Sequence, residues 1–252
     1  MTAEMLALLA VVGLAAGILN YAAAGGSLLP FLVMVMLGMP PLVANATCLA
    51  ATPLSFVRVI GDIRKTPRMM RIPLVCAVAA TAVGVWLVSR VVTEEGFRRA
   101  VPYLLVCSVA LLLVFRRVAA WIDARTGRSG MSARSTTTVL TLGITVTSAY
   151  AGAFGGGVGV LILGVLTVAT SWSWDTINTT KNTVCLTTSV VGFIAFAFTG
   201  LVRWPLWVAL AAGMLLGSYV GRWATQHVPA SIQRLVVAVT TTLSAAYLWA
   251  SP

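Results

Sequence analysis

The 252 residues carry 59% hydrophobic side chains and only 9% charged ones. Soluble domains hold about a quarter charged residues, so this polar surface is too small to clothe a water-soluble globule, and lipid is the solvent the composition demands. The formal charge of +11, from 17 Lys+Arg against 6 Asp+Glu, lies in short loops between apolar runs, where it orients membrane helices and argues against nucleic acid as the partner.

A spanning helix needs about 20 apolar residues. The first apolar run, residues 4–24, carries Glu4 instead of a basic cluster and has no small-residue cleavage site followed by a soluble domain. It reads as a retained membrane helix, not a signal peptide. Gly25-Gly26 leads into a short run at 27–39, and a long run follows at 42–60. The loop 61–71 holds Arg64, Lys65, Arg68 and Arg71 against Asp62. After the run 72–92 comes a nearly neutral loop, 93–100, with Glu94, Glu95, Arg98 and Arg99. The run 101–121 precedes a second basic loop, 116–134, with Arg116, Arg117, Arg125, Arg128 and Arg134 against Asp123. Then come the run 136–154, Gly155-Gly156-Gly157, a short run at 158–170, and long runs at 182–200, 204–223 and 232–250.

The two basic loops belong in the cytoplasm and the neutral one outside. At ~1.5 Å per residue the two short runs fall short of the ~30 Å hydrocarbon core, as short, broken or re-entrant helices do. If both cross, the chain has about ten segments with both termini outside, and Arg222 and Arg234 fall inside with only Arg203 in the intervening outer loop. If both are re-entrant, about eight segments remain and that assignment reverses; the charge count favours ten.

Two stretches repeat without gaps. Gly26, Asn45 and Thr47 recur 133 positions later as Gly159, Asn178 and Thr180. In each half a glycine cluster precedes a short apolar run, and an Asn-x-Thr motif then opens a long helix. An odd number of crossings per half makes such repeats inverted, and paired glycine-interrupted segments then point to a midplane site. The expected architecture is an all-α polytopic membrane protein of two inverted-topology repeats with about 8–10 segments. The N-terminal repeat is residues 1–121, the basic cytoplasmic linker 122–135 and the C-terminal repeat 136–252.

Gly25, Gly26, Gly156, Gly157 and Gly159 are the first candidate binding residues. Helices starting just after such clusters present free N–H groups and a positive dipole end, which suit an anion; close helix packing uses the same residues. Lys181 stands at the head of a long apolar run. A charge at membrane depth usually faces a substrate path, unless it snorkels to the interface. Asn45, Thr47, Asn178, Thr180 and Asn182 supply neutral donors that suit an oxyanion better than a cation, because Asp62, Asp123 and Asp175 all fall in loops or at run ends. Asn20 either lines the site or ties two helices together. Asp175, beside Trp172 and Trp174, is expected to be a helix N-cap, and His227 to lie in a solvated or interfacial loop. Arg203-Trp204-Pro205 reads as a loop entering a helix.

Cys48, Cys76, Cys107 and Cys185 each lie in an apolar run without metal-ligand spacing, so no disulfide framework, metal site or cofactor is expected. No Ser/His/Asp set, phosphate loop or paired intramembrane carboxylates appear, which makes an enzyme the weaker class.

At the repeat motifs the chain resembles the sulfite exporter TauE/SafE family of membrane transporters. The first half shows Gly17-x-x-Asn20, Gly25-Gly26-Ser27-Leu28-Leu29-Pro30 and Gly38-Met39-Pro40-Pro41 running to Asn45-Ala46-Thr47. The second shows Tyr150-Ala151-Gly152-Ala153-Phe154-Gly155-Gly156-Gly157-Val158-Gly159, Asn178-x-x-Lys181-Asn182 and Gly200-Leu201-Val202-Arg203-Trp204-Pro205. Gly213, Gly217, Tyr219, Gly221 and Arg222 are similar to the family's late glycine-rich helix. In the first half Cys48 stands where the family pattern has a lysine. The resemblance implies transport, with export the first expectation, of a small anion such as sulfite or an organosulfonate across the plasma membrane. Coupling to a proton or another ion is expected by alternating access. A passive anion channel or a non-transporting scaffold would be built from the same residues.

Overall fold

The structure, a computed structural model, describes residues 2–22, 25–100, 103 and 133–227. The runs expected at 101–121 and 232–250, Cys107, Arg234 and most of the linker 122–135 lie outside the described residues.

Every regular element among the described residues is helical. The first half comprises α1 (Ala3–Ala22), α2 (Leu28–Met36), α3 (Pro41–Ala51), its tighter 3-10 continuation (Thr52–Lys65) and α4 (Arg71–Arg90). The second comprises α5 (Ala133–Ala153), α6 (Val158–Ala169), α7 (Trp174–Ala197) and α8 (Trp204–His227). Among the described residues four stretches are long and apolar enough to cross a membrane: Ala3–Ala22, Pro41–Lys65, Arg68–Arg90 and Trp204–Ala224.

Glycine and proline set the breaks. Gly25 and Gly157 take φ of 83° and 76°, a left-handed conformation that side chains resist. These residues let the chain reverse at the ends of α1 and α5. The short helices then pack back on the long helices before them. A Cβ on Gly26 would lie 2.4 Å from Ala16 O, and one on Gly143 would lie 2.6 Å from the Val165 side chain. Pro41 begins α3, where its missing N–H is no loss. Pro53 sits at the start of the 3-10 stretch. It denies Leu49 O its i→i−4 backbone donor, and the Thr52 N–H is shared between Cys48 O and Leu49 O, while Thr52 Oγ1 donates to Cys48 O at 2.8 Å.

The long helices pair across the halves. α1 lies against α8, and α4 against α5. Both contacts are too close for a side chain. A Cβ on Gly17 would come 2.5 Å from Met214 O, and one on Gly217 2.4 Å from Leu14 O. In the other pair, Gly84 would meet Ala149 O at 2.2 Å and Gly152 would meet Thr81 O at 2.2 Å. Lipid offers no hydrophobic drive for helix pairing, so backbone approach through small residues supplies the contact. The late glycine-rich helix is therefore a packing surface. The spacing of 133 seen in the motifs also separates the first residues of α3 and α7, Pro41 and Trp174, and those of α4 and α8, Arg71 and Trp204.

Several expectations shift. The Asn-x-Thr motifs lie one turn inside α3 and α7 and do not open them. The N-cap of α7 is Ser173, whose side chain accepts from Thr176 N. Asp175 instead occupies the first turn, where a carboxylate meets the positive helix end. His227 is the last residue of α8, and its ring stacks on Trp223 at 4.8 Å. Asp62 pairs with Arg222, which brings the end of the 3-10 segment and the end of α8 together. Near the start of α3, Leu42 N donates to Glu94 Oε1 at 3.0 Å, joining it to the neutral loop.

Candidate functional site

A cavity of about 30 Å³ lies between the halves, room for about two waters. The first half lines it with Asn20, Ser27, Leu49, Thr52 and Phe56, the second with Ala151, Gly155, Val158, Gly159, Cys185, Thr188 and Ser189. The repeat spacing reappears here: Thr52 and Cys185 stand 133 apart, as do Phe56 and Ser189.

Asn20 is the hub, both lining and tying. Its Oδ1 accepts from Ser27 N at 3.0 Å and its Nδ2 donates to Ser55 Oγ at 3.3 Å. Ser27 Oγ donates to Gly155 O at 2.8 Å, joining the two glycine clusters. The hydroxyls of Thr52, Thr188 and Ser189 donate back to Cys48 O, Cys185 O and Leu186 O of their own helices. Such bonds let a hydroxyl sit in an apolar helix, and rotation about the C–O bond can redirect the proton toward a ligand. Val158 and Gly159 are the first two residues of α6, whose amides have no partner within the helix. Among the described residues no carboxylate lines the cavity.

Around this cavity each half grips the end of the long helix that precedes the other's glycine cluster. Asn45 of α3 donates from Nδ2 to Ala153 O at 3.0 Å and accepts at Oδ1 from Gly155 N at 3.3 Å. Reciprocally, Lys181 Nζ of α7 donates to Asn20 O at 3.1 Å and Tyr21 O at 3.5 Å, and Asn182 Nδ2 donates to Tyr21 O at 3.1 Å. Lys181 is fully buried, with 0% exposure, so it does not snorkel. Its ammonium meets the carbonyls that end α1, the negative pole of that helix. Thr47 Oγ1 donates to Val43 O at 2.8 Å and accepts from Arg203 N at 3.1 Å.

Of the residues singled out in the sequence, Asn20 and Gly159 line the cavity. Gly25 and Gly157 make the reversals, and Gly26 packs on α1. Gly156 fits where a Cβ would meet Leu28 at 2.4 Å. Asn45, Lys181 and Asn182 form the cross-half ties. Asn178 Oδ1, Thr180 Oγ1 and Asn182 Oδ1 are buried atoms without a hydrogen-bond partner among the described residues, an uncommon state for buried polar groups. Sequence reading missed Ser27, Ser55, Thr52, Thr188 and Ser189. The repeat could have found three of them, since Thr52 and Ser55 share the spacing of 133 with Cys185 and Thr188. Among the described residues no group of three or more His, Cys, Asp or Glu could hold a metal ion.

Long apolar helices that exchange partners between two halves, with a small cavity of mixed apolar and polar lining between them, define a multi-pass membrane protein. The family model described as Sulfite exporter TauE/SafE matches residues 9–248, so the chain belongs to this family of membrane transporters. A relative from Sinorhizobium sp., named "Probable membrane transporter protein ORF9", is 28% identical over 253 residues, which covers 96% of this chain and 91% of that protein. No solved structure matches the chain significantly.

Proposed function

We propose that the protein is a secondary transporter that exports a small anion, sulfite or an organosulfonate, across the plasma membrane. The observation that carries this reading is the make-up of the cavity: hydroxyls, an asparagine and the first amides of α6, with no carboxylate lining it among the described residues. Such donors suit an oxyanion. Lys181 lies one turn before Cys185 on the helix that lines the cavity, and its charge gives the site a positive sign. Asn45, Asn178, Thr180 and Asn182 hold the surrounding frame.

The two halves act as inverted repeats, with the cavity near their pseudo-two-fold axis. Rocking one repeat against the other opens the cavity to each side in turn, coupled to a proton or another ion. The helix starts and cavity residues that share one spacing, and the reciprocal ties of Asn45 and Lys181, support this arrangement.

Purified protein in detergent should melt at a higher temperature with sulfite, sulfoacetate or thiosulfate than with sulfate or small carboxylates, because a ligand that binds only the folded state stabilises it. No shift with any anion, for well-folded protein, overturns the anion reading. Accumulation in proteoliposomes only under an ion gradient separates a coupled transporter from a passive channel.

A further inference from the structure

At the basic end of the bundle the halves are joined by charge. Asp62, in the 3-10 segment of the first half, pairs with Arg222 of α8 in the second. Arg222 Nη1 also donates to Arg58 O at 3.1 Å, and the Tyr21 phenol at the end of α1 hydrogen-bonds the same guanidinium. The Arg58 guanidinium covers the Tyr219 ring at 4.8 Å, and Lys65 reaches Asp62 at 2.8 Å. The Asp62 and Arg222 side chains are 15% and 27% exposed, so the pair is reached by water but partly shielded.

The other end is built differently, although the halves share a spacing through the cavity. Moving each of these residues by 133 positions leads from Asp62 to Ala195, from Arg58 to Val191, from Arg222 to Ser89 and from Tyr219 to Trp86, none of them charged. The start of α8 instead carries an aromatic cluster: Phe193 stacks on Trp207 at 5.9 Å and meets Trp204 edge-on at 6.5 Å. One end thus carries an ion pair that bridges the halves, and the other a cluster of aromatic rings within the second half.

We propose that the Asp62–Arg222 pair is the latch of the cytoplasmic gate, which must break before the cavity opens to the cytoplasm, and that the outer gate has no ionic counterpart among the described residues. This rests on the alternating-access reading above. The positive-inside rule assigns the 61–71 loop to the cytoplasm, and any rocking that opens this end separates the 3-10 segment from α8. Neutralising either partner shifts the population toward the inward-open state without touching the cavity.

Cys185 lines the cavity and reports the gate. In a background with Cys48, Cys76 and Cys107 replaced by alanine, a membrane-impermeant thiol reagent is applied to inside-out and right-side-out vesicles. Asp62→Asn should raise the rate of Cys185 modification from the cytoplasmic face about threefold to fivefold, the range expected for a partly exposed pair. The rate from the outer face should stay level or fall. The charge swap Asp62→Arg with Arg222→Asp should bring the cytoplasmic rate back toward the parent value. An unchanged rate in Asp62→Asn, or an equal rise on both faces, overturns the latch. Should Asp62→Asn fail to insert, Arg222→Gln breaks the same pair and is judged by the same outcomes. No substrate enters this assay, so its failure leaves the anion reading standing, and failure of the anion reading leaves the measured accessibility standing.

Discussion

Replacing Lys181 by methionine keeps an unbranched side chain one atom shorter and removes its charge. Lys181 precedes Cys185 by one helical turn, about 6 Å along the axis, and its ammonium reaches back to the end of α1, so it acts on an anion held in the cavity over a distance on the order of 8 Å. At an effective dielectric of about 20, a unit charge at that distance contributes about 2 kcal/mol, or ~30-fold in Kd. The effect on folding is smaller. The variant loses charge-assisted bonds to Asn20 O and Tyr21 O, worth about 1.5–3 kcal/mol. It also no longer buries an ammonium, which offsets part of that loss, and Asn182 still holds Tyr21 O. The assay is sulfite titration by thermal shift in detergent, beside Asn45→Ala as comparator. Asn45→Ala removes the matching neutral tie to Ala153 O and Gly155 N, so it should lower the melting temperature but weaken sulfite far less than Lys181→Met. A folded Lys181→Met that binds sulfite within about threefold of the parent refutes the Coulombic reasoning. Lys181 would then be a strut and nothing more.

Gly217→Val drives a side chain into Leu14 O, 2.4 Å from the Cβ position, and should abolish the monodisperse peak in size-exclusion chromatography. Gly61→Ala, with nothing within 4 Å, should leave that peak unchanged. Thr188→Val removes a cavity hydroxyl at constant shape and should weaken sulfite about fivefold in the same titration, as the loss of one hydrogen bond of about 1 kcal/mol implies. Ser173→Ala removes the α7 cap and should destabilise by about 1 kcal/mol in thermal melts, while Ser173→Asp should restore the parent value.

The outline of the fold was legible because lipid imposes long apolar runs. Residues 72–92 became α4 at Arg71–Arg90, and the short run 158–170 became α6 at Val158–Ala169. The α7 boundary moved from 182 back to Trp174 because its first two turns carry the polar residues Asp175, Asn178 and Lys181, of which Lys181 finds its partners on α1, and because Ser173 caps the helix start. The 3-10 geometry of Thr52–Lys65 leaves no periodic signature of its own; only Pro53 marks it. At the site, Asn20 stood out because an amide inside an apolar run needs a partner. Thr188 and Ser189 did not, since a hydroxyl can satisfy itself on its own helix's carbonyls, and which hydroxyls face a cavity is decided by packing between distant segments. The orientation of Lys181 toward α1 depends on a reversal at Gly25 that composition cannot place.

The exchange of partners between the halves has a consequence for how the chain is made. The surface of α1 bearing Gly13 and Gly17 fits α8, which the ribosome produces about 200 residues later, a wait of roughly 10–40 s at ordinary elongation rates. Throughout that interval α1 stands in the bilayer with its glycine face unmet, and Asn20 O lacks the lysine that will secure it. Neither half can be completed before the other has been inserted. A nascent chain halted between α4 and α8 should therefore be a target for membrane quality control, and two halves expressed as separate polypeptides should recover each other only when both are present in the same membrane.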